Sequence, residues 1–297
     1  MTDFRVAAIV LGWNLADISI ACIESLESQT HGPLDVIYVD NGSTDGAPAT
    51  VGERFPNARI VALSENVGIA AGYNAGLRIA IAGDADAALI LNNDTVLAPD
   101  AIAELVAAAR RQSSAGVLMP KILHERARTR IWSAGARRRS FPPGVVFLGL
   151  GQADGPAWNV ERDIEFAPSC ALLITREALR RVGVFDPDYF FYYDDWDYCE
   201  RARRAGFTIR YVPGAVVWHK VSLSTARSSQ PARWWYVMGR SAVIYYRRYY
   251  RPFPPYVALY AAWFVAREAL KGNARFLGLY LRGLWDGLTG RSARLPA

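Results

Sequence analysis

Along the chain, short apolar runs alternate with longer segments of helical spacing. Val6 to Leu11, Val36 to Val39, Ile60 to Leu63 and Ala87 to Leu91 are compact apolar runs, most of them closed by polar or turn-forming residues. Runs of this kind, without polar alternation, are the pattern of strands buried on both faces. Between and after them, Ile18 to Leu26, Ala70 to Ile81 and Ala101 to Ala109 repeat apolar residues at helical spacing. Strands alternating with helices predict βαβ units, and hence an α/β fold with a Rossmann-like, mostly parallel sheet flanked by helices. In such sheets ligands bind outside the carboxyl ends of the strands. Trp13-Asn14, Asp40-Asn41-Gly42-Ser43, Asn66 and Asn92-Asn93-Asp94 all fall at those ends, so four separate stretches assemble one polar rim.

The second half is less regular. Residues Arg126 to Asp163, rich in Arg, Gly and Pro, read as an irregular loop or hairpin excursion over the rim. Ala167 to Thr175 is predicted to be a strand and Arg176 to Val182 a short helix. Asp195 to Ala205 follows as a helix, with Arg201, Arg203 and Arg204 near the end where its dipole favours cations and Gly206 as the stop. Thr208 to Val212 and Ala215 to Trp218 are strand-like and lead into His219. Ser222 to Pro231 is a polar link that separates residues 1–221 from a C-terminal helical appendage, residues 222–297. There Trp234 to Tyr250 and Tyr256 to Leu288 are predicted helical, interrupted by Pro252, Pro254 and Pro255.

Composition narrows this picture. A chain of 297 residues, 52% hydrophobic, can bury the core of one large α/β domain plus an appendage, which excludes global disorder. Cys22, Cys170 and Cys199 are far apart and form no CxxC pair, which argues against a disulfide framework or structural zinc and for a reducing compartment. Met1 to Arg5 precedes only a short apolar run, so no signal peptide is expected, and no apolar stretch reaches the ~20 residues of a spanning helix. The net charge of +6 is uneven: from Pro231 onward eleven basic residues face only Glu268 and Asp286. That asymmetry points to an anionic surface, nucleic acid or membrane. The basic residues are interleaved with Trp263, Phe264, Phe276, Leu277, Tyr280 and Trp285, the make-up of a helix lying in a membrane interface, so a membrane surface is expected and nucleic acid is not.

The rim carries the candidate chemistry. Asp94 ends an apolar run beside Asn92, Asn93 and Thr95; hard divalent cations prefer such oxygens and share them with substrate phosphates, while an ordinary capped turn is the alternative. Asp40-Asn41-Gly42-Ser43-Thr44-Asp45 is open in the same way. Asp40 can accept a hydrogen bond from a base or ribose, or the segment is a βα turn with Ser43 or Asp45 as cap. Gly68, Gly72 and Gly76 recur every fourth residue, unlike the GxGxxG of dinucleotide-binding folds. They suit close approach of a helix to the sheet or a ligand, with Asn66 and Asn74 offering polar contacts. Asp194, Asp195 and Asp197 put three carboxylates at a helix start beside Tyr189-Phe190-Phe191-Tyr192-Tyr193. Capping explains one carboxylate; three beside aromatic rings suggest a base next to a sugar platform, since a partly desolvated carboxylate has its pKa raised. His219 is either a buried histidine or, with Asp94, part of a metal site.

In this order, Val10-Leu11-Gly12-Trp13-Asn14, Val39-Asp40-Asn41-Gly42-Ser43-Thr44-Asp45, Asn66-Val67-Gly68 through Asn74-Ala75-Gly76, Leu91-Asn92-Asn93-Asp94-Thr95, Asp194-Asp195-Trp196-Asp197 with Arg201, and Trp218-His219 resemble the inverting family 2 glycosyltransferases of GT-A fold, in particular the rhamnosyltransferase and galactofuranosyltransferase-like group. The resemblance implies a catalytic domain over residues 1–221, with a nucleotide-sugar half to about residue 120 and an acceptor half after it. It implies donor contacts from Trp13, Asn14, Asp40, Asn41, Gly42, Ser43, Asn66, Gly68, Gly72, Asn74, Asn92 and Asn93, with Asp40 by the nucleotide base. Asp94 then stands for the last Asp of the family's DxD motif and, with His219, holds Mg2+ or Mn2+. Asn92 replaces the first Asp, leaving fewer anionic ligands. Asp195 is the implied general base, with Asp194 and Asp197 orienting it or the acceptor, and Tyr192, Tyr193 and Trp196 contact the acceptor. The implied reaction moves rhamnose from dTDP-rhamnose to a lipid-linked or polysaccharide acceptor of the cell envelope, on the cytoplasmic face of the membrane, in a chain that can be homo-oligomeric. UDP-galactofuranose, GDP-mannose or UDP-glucose as donor, or a non-catalytic nucleotide-sugar-binding scaffold, are the alternatives.

Overall fold

The computed structural model describes residues 4–140, 144–220 and 231–290. The first half alternates β1 (Val6–Gly12), α1 (Ala16–Glu27), β2 (Leu34–Asp40), α2 (Ala47–Arg54), β3 (Arg59–Ala62), α3 (Ile69–Ala82) and β4 (Ala87–Asn92). The strands pair in parallel in the order β3-β2-β1-β4. All seven residues of β1 are buried, because helices cover the sheet on both faces. Helix α3 lies close against this sheet through two of its glycines. A Cβ on Gly72 would come 2.7 Å from Leu11 Cδ1, and one on Gly76 2.5 Å from Ile9 Cγ2. Those positions therefore serve helix–sheet packing and not a ligand.

After β5 (Thr95–Leu97) and α4 (Ala101–Arg111) comes β6 (Ala115–His124), a strand that the apolar pattern above does not predict although nine of its ten residues are buried. Pro120 and Lys121 disguise it. Pro120 cannot donate to a ladder, and it sits where the pairing with β12 (Thr208–His219) is interrupted between Val212 and Val216. The same irregularity, at Pro213 and Gly214, is why Thr208 to Val212 and Ala215 to Trp218 are one bulged strand and not two. Lys121, 3% exposed, is neutralised by Asp154 at 2.8 Å.

The loop or hairpin excursion expected between Arg126 and Asp163 contains four short strands, β7 (Ala127–Ser133), β8 (Ala136–Arg139), β9 (Gly144–Phe147) and the start of β10 (Arg162–Ile164), of which β8 and β9 form a hairpin. Cross-strand pairing to β6 and β12, and of β8 with β9, overrides a composition rich in Arg and Gly. With β11 (Ala171–Thr175) antiparallel between β4 and β6, the sheet runs β10-β12-β6-β11-β4-β1-β2-β3. Helices α5 (Arg176–Val182) and α6 (Asp194–Arg204) cover its second half.

The C-terminal region contains α7 (Pro231–Tyr249), α8 (Phe253–Leu270) and α9 (Leu277–Thr289). The single helix expected over Tyr256 to Leu288 is broken at Gly272, φ 82°, and Asn273, whose backbone N–H and side-chain amide both bond to Glu268. The proline break is also narrower than expected, since Pro254 and Pro255 lie in the first turn of α8, where no intrahelical N–H is required. The polar link at 222–230 lies outside the described residues, as do Arg291 and Arg294. Most of the aromatic residues read as membrane-facing turn inward: Phe264 and Tyr280 are buried and stack at 4.4 Å, and Phe276 stacks on Trp235 at 5.5 Å. Of the six named for that role, Trp285 is the exposed one. Several basic residues likewise dock helices instead of facing outward: Arg248 pairs with Asp186 and Asp197, and Arg240 donates to the Asp188 carbonyl.

Candidate active site

The loops at the carboxyl ends of β1 and β2 are laced together. Asn14 N–H donates to Ser43 Oγ at 2.6 Å, Thr44 N–H to Asn14 Oδ1 at 2.9 Å, and Leu15 N–H to Asp45 Oδ2 at 2.7 Å. Asn14 and Leu15 hold φ of 56° and 60°, a left-handed conformation that costs a non-glycine residue about 1–3 kcal/mol and that these bonds maintain. Asp40 is buried and accepts from Ser43 N–H at 2.9 Å and from Ser43 Oγ. Asp45 accepts from Ala47 N–H at the start of α2. Asn41 takes Val67 N–H on its oxygen and donates to the Gly68 carbonyl. Gly42, φ 74°, lies so close to the Glu65 backbone that no side chain fits.

These loops frame a cavity of about 620 Å³. Of the expected donor residues, Trp13, Asn41, Asn66, Gly68, Asn92 and Asn93 line it. Asn14, Asp40, Gly42 and Ser43 support the rim from behind. Asn74 is 1% exposed and bonds both the N–H and the carbonyl of Phe185, so it pins α3 to that loop and faces away from the cavity, as Gly72 faces the sheet.

Asp94 and His219 meet at the cavity wall. β5 pairs with β12 so that Thr95 lies opposite His219, which brings His219 Nε2 to 3.1 Å from Asp94 Oδ1. Both side chains are 7% exposed, and His219 Nδ1 is buried without a partner. The Trp132 ring meets the imidazole edge-on at 4.8 Å and 89°. One carboxylate oxygen and one imidazole nitrogen thus converge on the cavity, a donor set that suits a divalent cation. Among the described residues no group of three or more His, Cys, Asp or Glu forms a complete ligand shell. A cation here would draw its other ligands from substrate oxygens and water, as such ions do at phosphate sites. Asn92 accepts from the Tyr73 hydroxyl at 2.7 Å, a role a neutral amide fills without a counter-charge.

Asp195 sits at the amino terminus of α6, after Tyr192 and Tyr193 at φ 63° and 66°. This strained pair turns the chain so that the helix start faces the cavity, which Tyr192, Tyr193, Asp194, Asp195 and Trp196 all line. Burial pushes the Asp195 carboxyl well above the usual range and the Asp194 charge adds to this, while the N–H groups of Trp196 and Ser169 partly offset the shift. The Asp194 carboxyl is raised too, by burial, although Ser169 Oγ donates to it at 3.2 Å. Both effects run against the helix dipole, which favours anions at this end. Asp197 is different. It is fully buried, bonded to Arg201 Nε at 2.7 Å and to Arg248 and the Tyr249 hydroxyl at 2.7 Å each, and it does not line the cavity. Two residues along a helix is about 200° around it, so Asp195 and Asp197 must face opposite sides.

Ser169 and Tyr73 were not singled out in the sequence, yet they connect the two carboxylate clusters: Tyr73 touches Asn92 and the Ser169 carbonyl, and Ser169 reaches Asp194. The position of Pro168-Ser169-Cys170 just before β11 was the available signal. Trp234, Trp235, Met238, Tyr260 and Phe264, which line the cavity from α7 and α8, carried none.

Residues 4–237 match the family described as Glycosyltransferase like family 2. Over 228 residues, 69% of this chain and 72% of the other, the sequence is 32% identical to an N-acetylglucosaminyl-diphospho-decaprenol L-rhamnosyltransferase of Mycobacterium tuberculosis. Among solved structures, a mannosyltransferase of Pyrobaculum calidifontis in complex with GDP-Man and Mn2+ superimposes with a TM-score of 0.58 and 18% identity, over 97% of this chain and 88% of that one. GalNAc-T7 with UDP, GalNAc and Mn2+ gives a TM-score of 0.59 and 13% identity, over 73% of this chain but only 44% of that one. The fold, the order of the rim motifs and these similarities agree: the chain belongs to glycosyltransferase family 2 and is a glycosyltransferase of GT-A fold.

Proposed function

We propose that this glycosyltransferase inverts the anomeric centre in a single displacement assisted by Mg2+ or Mn2+, with rhamnose from dTDP-rhamnose as the transferred sugar and a polyprenyl-linked cell-envelope glycan as acceptor. One observation carries the chemistry: Asp195 and the Asp94–His219 pair line the same cavity. Similarity to the mycobacterial rhamnosyltransferase supports the sugar and the acceptor class.

In this mechanism the acceptor hydroxyl oxygen bonds to the anomeric carbon while the bond from that carbon to the nucleoside diphosphate breaks. Asp195 takes the hydroxyl proton, a contribution of about 10²–10⁴-fold. Its raised pKa makes it a stronger base than an ordinary Asp carboxylate. Asp194 tunes Asp195 through its charge, and the loops that Asn41, Asn66 and Asn93 tie together form the donor side of the cavity. A cation held by Asp94 and His219 would neutralise charge developing on the diphosphate. Residues 1–221 carry this chemistry in our assignment, and residues 222–297 supply the acceptor-side wall and the contact with the membrane's inner face.

The test is a thermal-shift panel of nucleoside diphosphates and nucleotide-sugars with and without Mn2+, because a ligand that binds only the native state raises its stability. A Mn2+-dependent shift with thymidine nucleotides is expected. A shift confined to uridine or guanosine nucleotides would replace the donor, and no shift with any nucleotide would favour a non-catalytic scaffold.

A further inference from the structure

The cavity has two chemically different ends. Beside β1, β4 and β12 its wall is amide, carboxylate and imidazole; toward the helical region it becomes Trp235, Met238, Tyr260 and Phe264 and closes on Arg267 and Glu268. Those two charges are already matched, since Glu268 accepts from Arg267 Nε at 2.6 Å, Asn273 Nδ2 at 2.8 Å and Lys271 Nζ at 3.2 Å. This end therefore presents ring and thioether surface. Sugar hydroxyls placed there would lose their hydrogen bonds to water with little in return, whereas an apolar chain would not.

Helix α8 has the same character on its outer side. Ala258, Leu259, Ala262, Ala266, Ala269 and Leu270 are exposed at helical spacing with no charge among them, Leu259 by 49% and Leu270 by 90%. A surface helix ordinarily turns charge outward; one that is apolar all round belongs inside a protein or in lipid. No helix among the described residues is long and apolar enough to cross a membrane. Exposed Arg251 and Lys271 stand just beyond its two ends, and α9 exposes Leu281, Trp285 and Leu288 beside Arg282. Apolar stripes with flanking cations match the boundary of an anionic bilayer.

We propose that α8 is a lipid-handling wall. Its inner face, Tyr260 and Phe264, together with Trp235 and Met238 of α7, holds the first isoprene units of the acceptor's polyprenyl chain. Its outer stripe rests on the bilayer from which that acceptor comes. The proposal rests on the polyprenyl-linked acceptor named above and gives that chain a place.

Farnesyl diphosphate bearing a diazirine on its terminal isoprene, irradiated with the full chain and mapped by peptide mass spectrometry, tests it. Adducts are expected within residues 234–238 and 260–264, displaced by decaprenyl phosphate in detergent but not by inorganic diphosphate. Met238→Gln, which puts an amide into the apolar end, should lower labelling about tenfold, while Met238→Leu retains it. Adducts confined to the polar rim, displacement by inorganic diphosphate, or undiminished labelling of Met238→Gln would overturn the proposal. The nucleotide thermal shift on the same samples separates the two readings. A shift without labelling removes the lipid site alone, whereas no shift with any nucleotide removes the transferase reading itself.

Discussion

The polar rim and the aromatic wall of the cavity are held in place by different forces. Rim side chains are fixed by hydrogen bonds within and between short loops, as in Asp40 with Ser43, Asn14 with Thr44, and Asn41 with Val67. The wall is fixed by packing: Tyr193, Tyr245, Tyr246, Tyr250, Tyr260, Phe264 and Tyr280 form a second core, separate from that of the sheet. Helix α6 stands between them, with Asp194 and Asp195 on the rim side and Asp197 tied by Arg248 and Tyr249 to the wall. Three carboxylates within four residues thus divide between two faces, two lining the cavity and one joining α6 to α7.

Substitutions that act on one region and spare the other sharpen this contrast. The largest effect is expected at the rim from Asp94→Asn, which removes the anionic ligand of the proposed cation site; turnover with Mn2+ should fall by about 10³-fold, the equivalent of roughly 4 kcal/mol of charge stabilisation. Measured folding stability should hardly change. Asp197→Asn should do the reverse, costing about 2–4 kcal/mol in urea unfolding, below the full figure for a broken buried pair because Arg201 and Arg248 keep access to water. Transfer per folded molecule should stay within a few-fold of the parent, and a collapse of turnover in a stably folded variant would return Asp197 to the chemistry.

Asp194→Asn should act on pH. Wild-type kcat/KM should lose activity on acidification at a higher pH than the ordinary Asp value of about 4, because Asp195 must be ionised and its pKa is raised. Removing the neighbouring charge should move that limb to lower pH; an unmoved limb would mean the two carboxyls do not interact. The smallest effect is on stability. Both carboxyls bind protons more tightly in the native state than in the unfolded chain. Their contribution is therefore present below the ordinary carboxylate pKa and is lost as pH rises through the raised values. Asp194→Asn should accordingly raise Tm by about 2–4 °C near pH 8, with the gain shrinking toward pH 4.

The same contrast explains what the sequence disclosed. The β1–β4 half was legible because each strand contains a short apolar run, even the edge strand β3 that has no buried residue, and each rim residue lies within a few positions of its strand's end. Asp94 and His219 were each legible as a polar residue closing an apolar run, although their meeting depends on the β5–β12 pairing, which no local pattern announces. β6 was hidden by Lys121 and Pro120, residues that only a partner 33 positions away and a bulge on the next strand make acceptable. Asp197 was grouped with Asp194 and Asp195 by their shared helix start, whereas the helical phase puts it on the face away from the cavity. Arg248, its partner, lies 51 residues on and reads as one more basic residue in a basic tail.

Everything proposed for the reaction turns on Asp195 as the base that takes the acceptor proton. Its most direct test is Asp195→Asn, assayed for sugar transfer and, on the same preparation, for the Mn2+-dependent thermal shift by donor nucleotide. Transfer should fall by at least about 10²-fold with the nucleotide shift intact. Transfer near the wild-type rate would contradict this role.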